Sequence, residues 1–205
     1  MRQIMLAKEM SLKITSNYIL ILVVALFACS ISKATENVDH KIANYFLELK
    51  NFSSQFIQTD GASIEEGILY IGEERLRVEY INPSKILLIM DENKAMYHNY
   101  DLQETEFFNP ENTSAWVFLE IFKNKDFFHD MKKVSGNKNI ILSKKLIINE
   151  IKYNLEIYFE MTPLILRKIK LLYNDELLEI SLSNHNFNEL FDKKFFKMIS
   201  PDLLN

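Results

Sequence analysis

Ile151-Lys152-Tyr153-Asn154-Leu155-Glu156-Ile157-Tyr158-Phe159-Glu160 decides the fold. Successive side chains of a strand point to opposite faces. The alternation therefore puts Ile151, Tyr153, Leu155, Ile157 and Phe159 on one face. Lys152, Asn154, Glu156, Tyr158 and Glu160 take the other. One face is dry and one is wet, the mark of an antiparallel sheet packed on one side. The pattern recurs in Leu76-Arg77-Val78-Glu79-Tyr80 and in Leu178-Glu179-Ile180-Ser181-Leu182-Ser183.

Working outward, further strands are predicted at 55–59, 66–71, 86–90, 94–99, 102–108, 138–143 and 164–173. Asp60-Gly61, Asn82-Pro83, Asp91-Glu92-Asn93, Ser135-Gly136-Asn137 and Asn174-Asp175 supply the turns between them. About ten strands on short connections imply one large, strongly curved antiparallel sheet. Two segments break the period of two. Ile42, Tyr45, Phe46 and Leu49 fall at i, i+3, i+4 and i+7, one face of a helix that Asp39 is placed to cap. Thr113-Ser114 opens a second, short helix carrying Trp116, Phe118, Leu119 and Phe122, with Glu120 its only charge before Lys123. A helix this apolar suits the concave face of the sheet.

The chain has 205 residues, a formal net charge of −4, one Cys and four Gly. With 48% apolar residues, 15 Phe and 9 Tyr, it is a folding chain of one main domain. The acidic surplus argues against nucleic acid as a partner. Residues 1–34 read as a cleaved secretory signal. Arg2, Lys8 and Lys13 precede the apolar run 18–29, and Ser32-Lys33-Ala34 sets small residues at −3 and −1 of a cut before Thr35. Twelve apolar residues are short of the roughly 20 that a spanning helix needs. Residues 35–205 then form a single domain with 20 basic and 27 acidic side chains, net −7. Leu26-Phe27-Ala28-Cys29 is similar to a lipoprotein box, although Phe27 is bulky for one; the plainer reading is an apolar Cys inside a discarded signal.

Motifs of catalysis are absent. There is no G-x-S-x-G, H-E-x-x-H, C-x-x-C or paired G-x-G. His40, His98, His129 and His185 are scattered and read as surface or packing residues. Glu65-Glu66, Glu73-Glu74 and Asp175-Glu176 read as solvated turn charges. Neither a metal nor another cofactor is implied. A curved sheet wider than its helices can fill leaves an apolar cavity, and an acyl chain gains about 0.8 kcal/mol per methylene buried.

Several stretches, in order, resemble the periplasmic outer-membrane lipoprotein carrier family LolA. Asn51-Phe52-Ser53-Ser54-Gln55-Phe56-Ile57-Gln58 looks like the family's helix end and F-x-Q strand. Leu76-Arg77-Val78-Glu79-Tyr80-Ile81-Asn82-Pro83 is similar to F-R-W-E-Y-x-x-P. Asp91-Glu92-Asn93-Lys94-Ala95-Met96-Tyr97-His98-Asn99-Tyr100-Asp101-Leu102 follows D-G-K-x-L-W-x-Y-D-P-D-L without a gap. Thr113-Ser114-Ala115-Trp116-Val117-Phe118-Leu119 resembles T-P-x-x-x-L-L, and Thr162-Pro163-Leu164-Ile165-Leu166 resembles N-P-L-x-L.

The resemblance implies an unclosed β-barrel with a helical lid over an apolar cavity, and a carrier rather than an enzyme. It implies lipoprotein cargo held by its acyl chains, an inner-membrane ABC transporter that releases it, an outer-membrane receptor and a periplasmic monomer. Leu76, Val78, Tyr80 and Leu88 match strands that line the family's cavity. Tyr45, Phe46 and Leu49 of the first helix are expected beside them. Ala115, Trp116, Phe118, Leu119 and Phe122 are the expected lid. The family's Arg-Pro lid latch has no counterpart in Gly72-Glu73-Glu74-Arg75, so Arg75 and Arg77 are the candidates for that role. Other readings are a membrane-anchored acceptor, which requires a lipidated Cys29; a lipid or envelope sensor of the same fold; and a secreted hydrolase.

Overall fold

A computed structural model describes residues 38–203 apart from 125 and 149. The predicted signal and Cys29 lie outside the described residues. Helix α1 (Val38–Glu48) leads into six strands: β1 (Phe52–Thr59), β2 (Ile64–Ile71), β3 (Leu76–Asn82), β4 (Ile86–Met90), β5 (Ala95–Asn99) and β6 (Glu104–Phe108). Helix α2 (Ala115–Lys123) follows. Five strands complete the sheet: β7 (Lys132–Ser135), β8 (Asn139–Ile148), β9 (Ile151–Met161), β10 (Leu164–Tyr173) and β11 (Glu176–Asn186).

The eleven strands form one antiparallel sheet in the order β6-β5-β4-β3-β2-β1-β11-β10-β9-β8-β7. Two meanders are thus joined by the pairing of β1 with β11. β6 and β7 are the edges and do not pair, so the barrel is unclosed. Short β7 was not anticipated, because Lys132-Lys133-Val134-Ser135 has too few apolar residues to show a period. Glu65 and Glu66 lie within β2 rather than at a turn, since pairing with Gln58 and Ile57 extends the strand.

The core fills the concave side. Leu155, Ile157 and Phe159 are buried with Ile140, Leu142, Leu166, Ile169 and Leu171 of neighbouring strands. Helix α1 packs Ile42 and Tyr45 into this layer, and Leu49, just past its end, joins them. Tyr45 meets Phe159, Phe46 and Phe187 edge-on, with centroids 5.6–5.9 Å apart. The Leu166 amide donates to the Tyr45 hydroxyl at 3.1 Å, beside the register shift between Leu166 and Lys168. A bulge interrupts the ladder, and the phenol replaces a bond there. Asp39 stands in the first turn of α1 rather than ahead of it, and pairs with Lys133 of β7. The β1–β11 seam has its own pin. Ser54 Oγ lies 2.8 Å from the Ser183 carbonyl and 2.9 Å from His185 Nδ1, whose Nε2 bonds the Leu166 carbonyl. Ser54 is 1% exposed. This serine–histidine contact is a structural link.

Phe187 still packs on Tyr45 and Phe52 in the core, and residues 189–203 then run back over the convex face of β2 to β6. Tyr70 packs on Phe191 and Phe195. Met198 covers Leu87, Ile89 and Met96. Ser200 Oγ bonds Thr105 Oγ, which also bonds buried His98 Nδ1 at 2.8 Å. At Gly72 a Cβ would stand 2.6 Å from the Phe196 ring, so only glycine lets the arm seat this closely. Ending the chain after Asn188 uncovers Tyr70, Leu87, Ile89 and Met96. The expected result is a lower urea midpoint and increased binding of a hydrophobic dye. An unchanged midpoint would show that the arm adds nothing to stability.

Candidate functional site

A cavity of about 220 Å³ lies between the concave sheet and α2. The register explains its walls. Leu69 pairs with Val78, Val78 with Leu88 and Leu88 with Tyr97, so one row of side chains faces inward across four strands. Leu76, Val78, Tyr80, Leu88 and Met90 line one wall. Ile169, Leu178, Ile180 and Leu182 line the wall opposite, with Phe56, Gln58 and Leu69 of β1 and β2. Ser114, Ala115, Phe118 and Phe122 close it from the helix. Gly67 makes room for this arrangement. A Cβ there would lie 2.6 Å from the Phe56 ring, which meets Tyr80 edge-on at 5.2 Å.

Of the seven side chains expected around the cavity, Leu76, Val78, Tyr80 and Leu88 face it. Tyr45 does not. It points into the aromatic core, where burial pushes its pKa up to about 12. Phe46 and Leu49 instead line a second cavity of about 270 Å³ between α1, α2 and the β2–β3 turn. The reason is helical geometry: α1 packs beside β10 rather than over the concave centre. On α2, Ala115, Phe118 and Phe122 face the first cavity, whereas Trp116 and buried Leu119 lie outside its lining. Phe122 is shared by both cavities. On the opposite wall, Leu178, Ile180 and Leu182 of β11 were visible as the apolar side of an alternating strand, whereas β10 was located only as a strand and Ile169 was not singled out.

The arginines are not a latch on the lid. They sit on the convex side and hold the C-terminal arm. Arg75 donates from Nη1 to the Phe196 carbonyl at 2.9 Å and from Nε to Asp91 at 3.1 Å. Arg77 donates to the Phe195 carbonyl at 2.6 Å and stacks over the Phe195 ring at 4.3 Å. Arg77 alternates with the inward Leu76 and Val78, so it has to point outward. The helix is tied by a residue that sequence reasoning passed over. Lys123, at the end of α2, donates from Nζ to the Gly72 carbonyl at 2.5 Å and to the Glu73 carbonyl at 3.3 Å. At the other end the Thr113 hydroxyl, not Ser114, accepts from the Ala115 amide at 3.2 Å.

The sequence matches the family model described as "Outer membrane lipoprotein carrier protein LolA" over residues 48–199. The chain belongs to the LolA family. Its fold is that of a lipid-binding carrier family, with the barrel left open. A crystal structure of an uncharacterized conserved protein from Thermus thermophilus shares this fold with TM-score 0.53 and 9% identity, over 80% of this chain and 93% of that one. MucB is similar at TM-score 0.46 and 10% identity, over 80% of this chain and 63% of that one. LprF from Mycobacterium bovis gives 0.36 and 7%, over 76% and 95%. No curated protein matches the sequence.

In this LolA-family chain the Lys123 tether has a pH signature. Burial lowers the Lys123 pKa from 10.5 to about 8, against the raising effect of Glu73 and Glu74. A depressed amine pKa means that the unfolded chain binds more protons between about pH 8 and 10.5. Stability contributed at Lys123 therefore rises across that window as the buried charge is relieved. Lys123→Met should remove this rise, measured as the difference between urea unfolding curves of the two proteins at pH 7.5 and 9.5. A constant difference would contradict the assignment.

Proposed function

We propose that the protein is a periplasmic carrier that shields the acyl chains of lipoproteins between the inner and outer membranes. The observation that carries this reading is the apolar cavity under α2. Its walls offer carbon to carbon contact and few polar groups, as a hydrocarbon ligand requires. Each buried methylene contributes about 0.8 kcal/mol, so even part of one chain supplies useful affinity. On this reading Leu76, Val78, Tyr80 and Leu88 contact the chain, and Ala115, Phe118 and Phe122 cover it.

An apolar cavity of about 150 Å³ is known to take a benzene-sized guest. The present one, about 220 Å³, suits part of one chain. Cargo with several chains requires α2 to swing out, which breaks the Lys123 bonds to the β2–β3 turn and uncovers Val117, Leu119 and Ile121. The signal read in residues 1–34 brings the chain to the periplasm. An inner-membrane ABC transporter supplies the lipoprotein, an outer-membrane acceptor takes it, and the carrier acts as a monomer. Binding and release account for this function without a catalytic step.

The test is a release assay. Purified residues 35–205 are added to spheroplasts that are making a new lipoprotein. The expected result is soluble lipoprotein that co-purifies with the carrier. Val78→Glu sets a carboxylate against the chain at a half-buried position and should cut loading at least tenfold while leaving the folded spectrum unchanged. Leu76→Glu should do the same at a position that is 1% exposed, with some loss of stability. Normal loading of folded Val78→Glu would count against this cavity.

A further inference from the structure

β8 has ten residues, and its outer neighbour β7 has four. β7 pairs only with residues 140–143, whereas β9 pairs with the whole of β8. Ahead of β7 the chain turns to the inner side, where the Phe127 carbonyl accepts from Lys144 Nζ at 3.1 Å. Residues 145–148 are therefore a strand edge without a neighbour. Among the described residues no backbone group bonds to its outer side. The free donors and acceptors of such an edge are a template for a further strand.

The side chains say what kind of strand fits. Leu146 and Ile148 turn to the inner face, opposite Tyr153 and Ile151, and are half-buried. Lys145 and Ile147 turn outward and are exposed, Ile147 to 71%. Lys132 of β7 and Lys152 of β9 share the outer face and are each diagonal to Lys145. Diagonal neighbours lie roughly 7–8 Å apart. All three lysines are exposed, and among the described residues none is in an ion pair. On this face of β7 to β9 the carboxylates are Glu156 and Glu160. Both are engaged, Glu156 by the Tyr158 hydroxyl at 2.5 Å and Glu160 by Arg167 at 2.7 Å. A chain of net charge −4 thus carries a local surplus of positive charge beside an open strand edge.

A bilayer offers no partner to the backbone groups of an edge, so the occupant is polypeptide. A second copy of this chain is disfavoured, because an edge lysine with two more beside it repels its own kind. A strand bearing carboxylates is attracted by the same three charges.

We propose that residues 145–148 of β8 form a docking edge for an extended acidic segment of a partner protein. The segment joins the sheet as a strand outside β8. It sets apolar side chains beside Leu146 and Ile148 and carboxylates beside Lys145, with Lys132 and Lys152 within reach. None of residues 145–148 lines either cavity, so this docking is independent of what the cavities hold.

The probe is a capped, fluorescent octapeptide of alternating glutamate and valine. Its control has lysine in place of each glutamate. Fluorescence anisotropy reads binding, and NMR-detected amide exchange of the protein reads strand pairing. The acidic peptide is expected to bind and the basic one is not. Amides of residues 145–148 that exchange fast in the free protein should slow when the acidic peptide is bound. Lys145→Glu, a change at an exposed side chain, should weaken the acidic peptide about tenfold with the folded spectrum unchanged. Equal binding of the two peptides would overturn the proposal, as would no binding of the acidic one. Unchanged exchange at residues 145–148 with the acidic peptide bound would reduce the contact to charge alone and overturn the docking edge.

Discussion

Eleven strands with an apolar inner face need a cover, and two α-helices of eleven and nine residues supply it among the described residues. That mismatch governs the rest of the structure. Helix α1 fills the β10 side with Tyr45 and Ile42, and Leu49 follows just past its end. Helix α2 spans what remains with small Ala115 and with Phe118 and Phe122 at its inner surface. The space left over is apolar because the strands that bound it alternate, and the side chains turned inward are those that would otherwise meet water. An open edge at β6 and β7 lets the sheet curve without closing, so the covering helix is not locked between paired strands.

The two faces of β3 show how one strand serves two purposes. Leu76, Val78 and Tyr80 form a cavity wall, while Arg77 and Arg75 secure the C-terminal arm on the other side. The arm closes the convex surface of β2 to β6, where Leu87, Ile89 and Met96 would otherwise be exposed. Apolar side chains on both faces of β4 follow from this, and Ile86-Leu87-Leu88-Ile89-Met90 accordingly shows no alternation.

Much of the fold was legible in the sequence, for identifiable reasons. Period-two alternation located β3, β9 and β11, and turn residues separated their neighbours. The helical spacing of Ile42, Tyr45 and Leu49 located α1. The ordered resemblance set the barrel as unclosed, which periodicity alone does not. The parts that were missed depend on long-range contacts. Four-residue β7 exists because it pairs with β8. Lys123 reaches carbonyls about fifty positions earlier in the chain. Arg75 and Arg77 find partners some 120 positions away, on an arm with no regular strand or long helix to announce it. Cavity residues were readable where the alternation and the resemblance coincided, at Leu76, Val78, Tyr80 and Leu88. Tyr45, Phe46 and Leu49 were expected at the cavity from the helical face they share, but that face packs into the aromatic core and a second cavity instead.

The account stands on where the hydrocarbon sits. The most direct measurement is photo-crosslinking of the intact protein loaded with a lipoprotein whose acyl chain carries a diazirine, with the adducts mapped by mass spectrometry. Adducts at Val78, Leu88, Phe118 and Ile180 are predicted. Adducts confined to the convex face, around Tyr70 and the C-terminal arm, would contradict the claim that the concave cavity carries the chain.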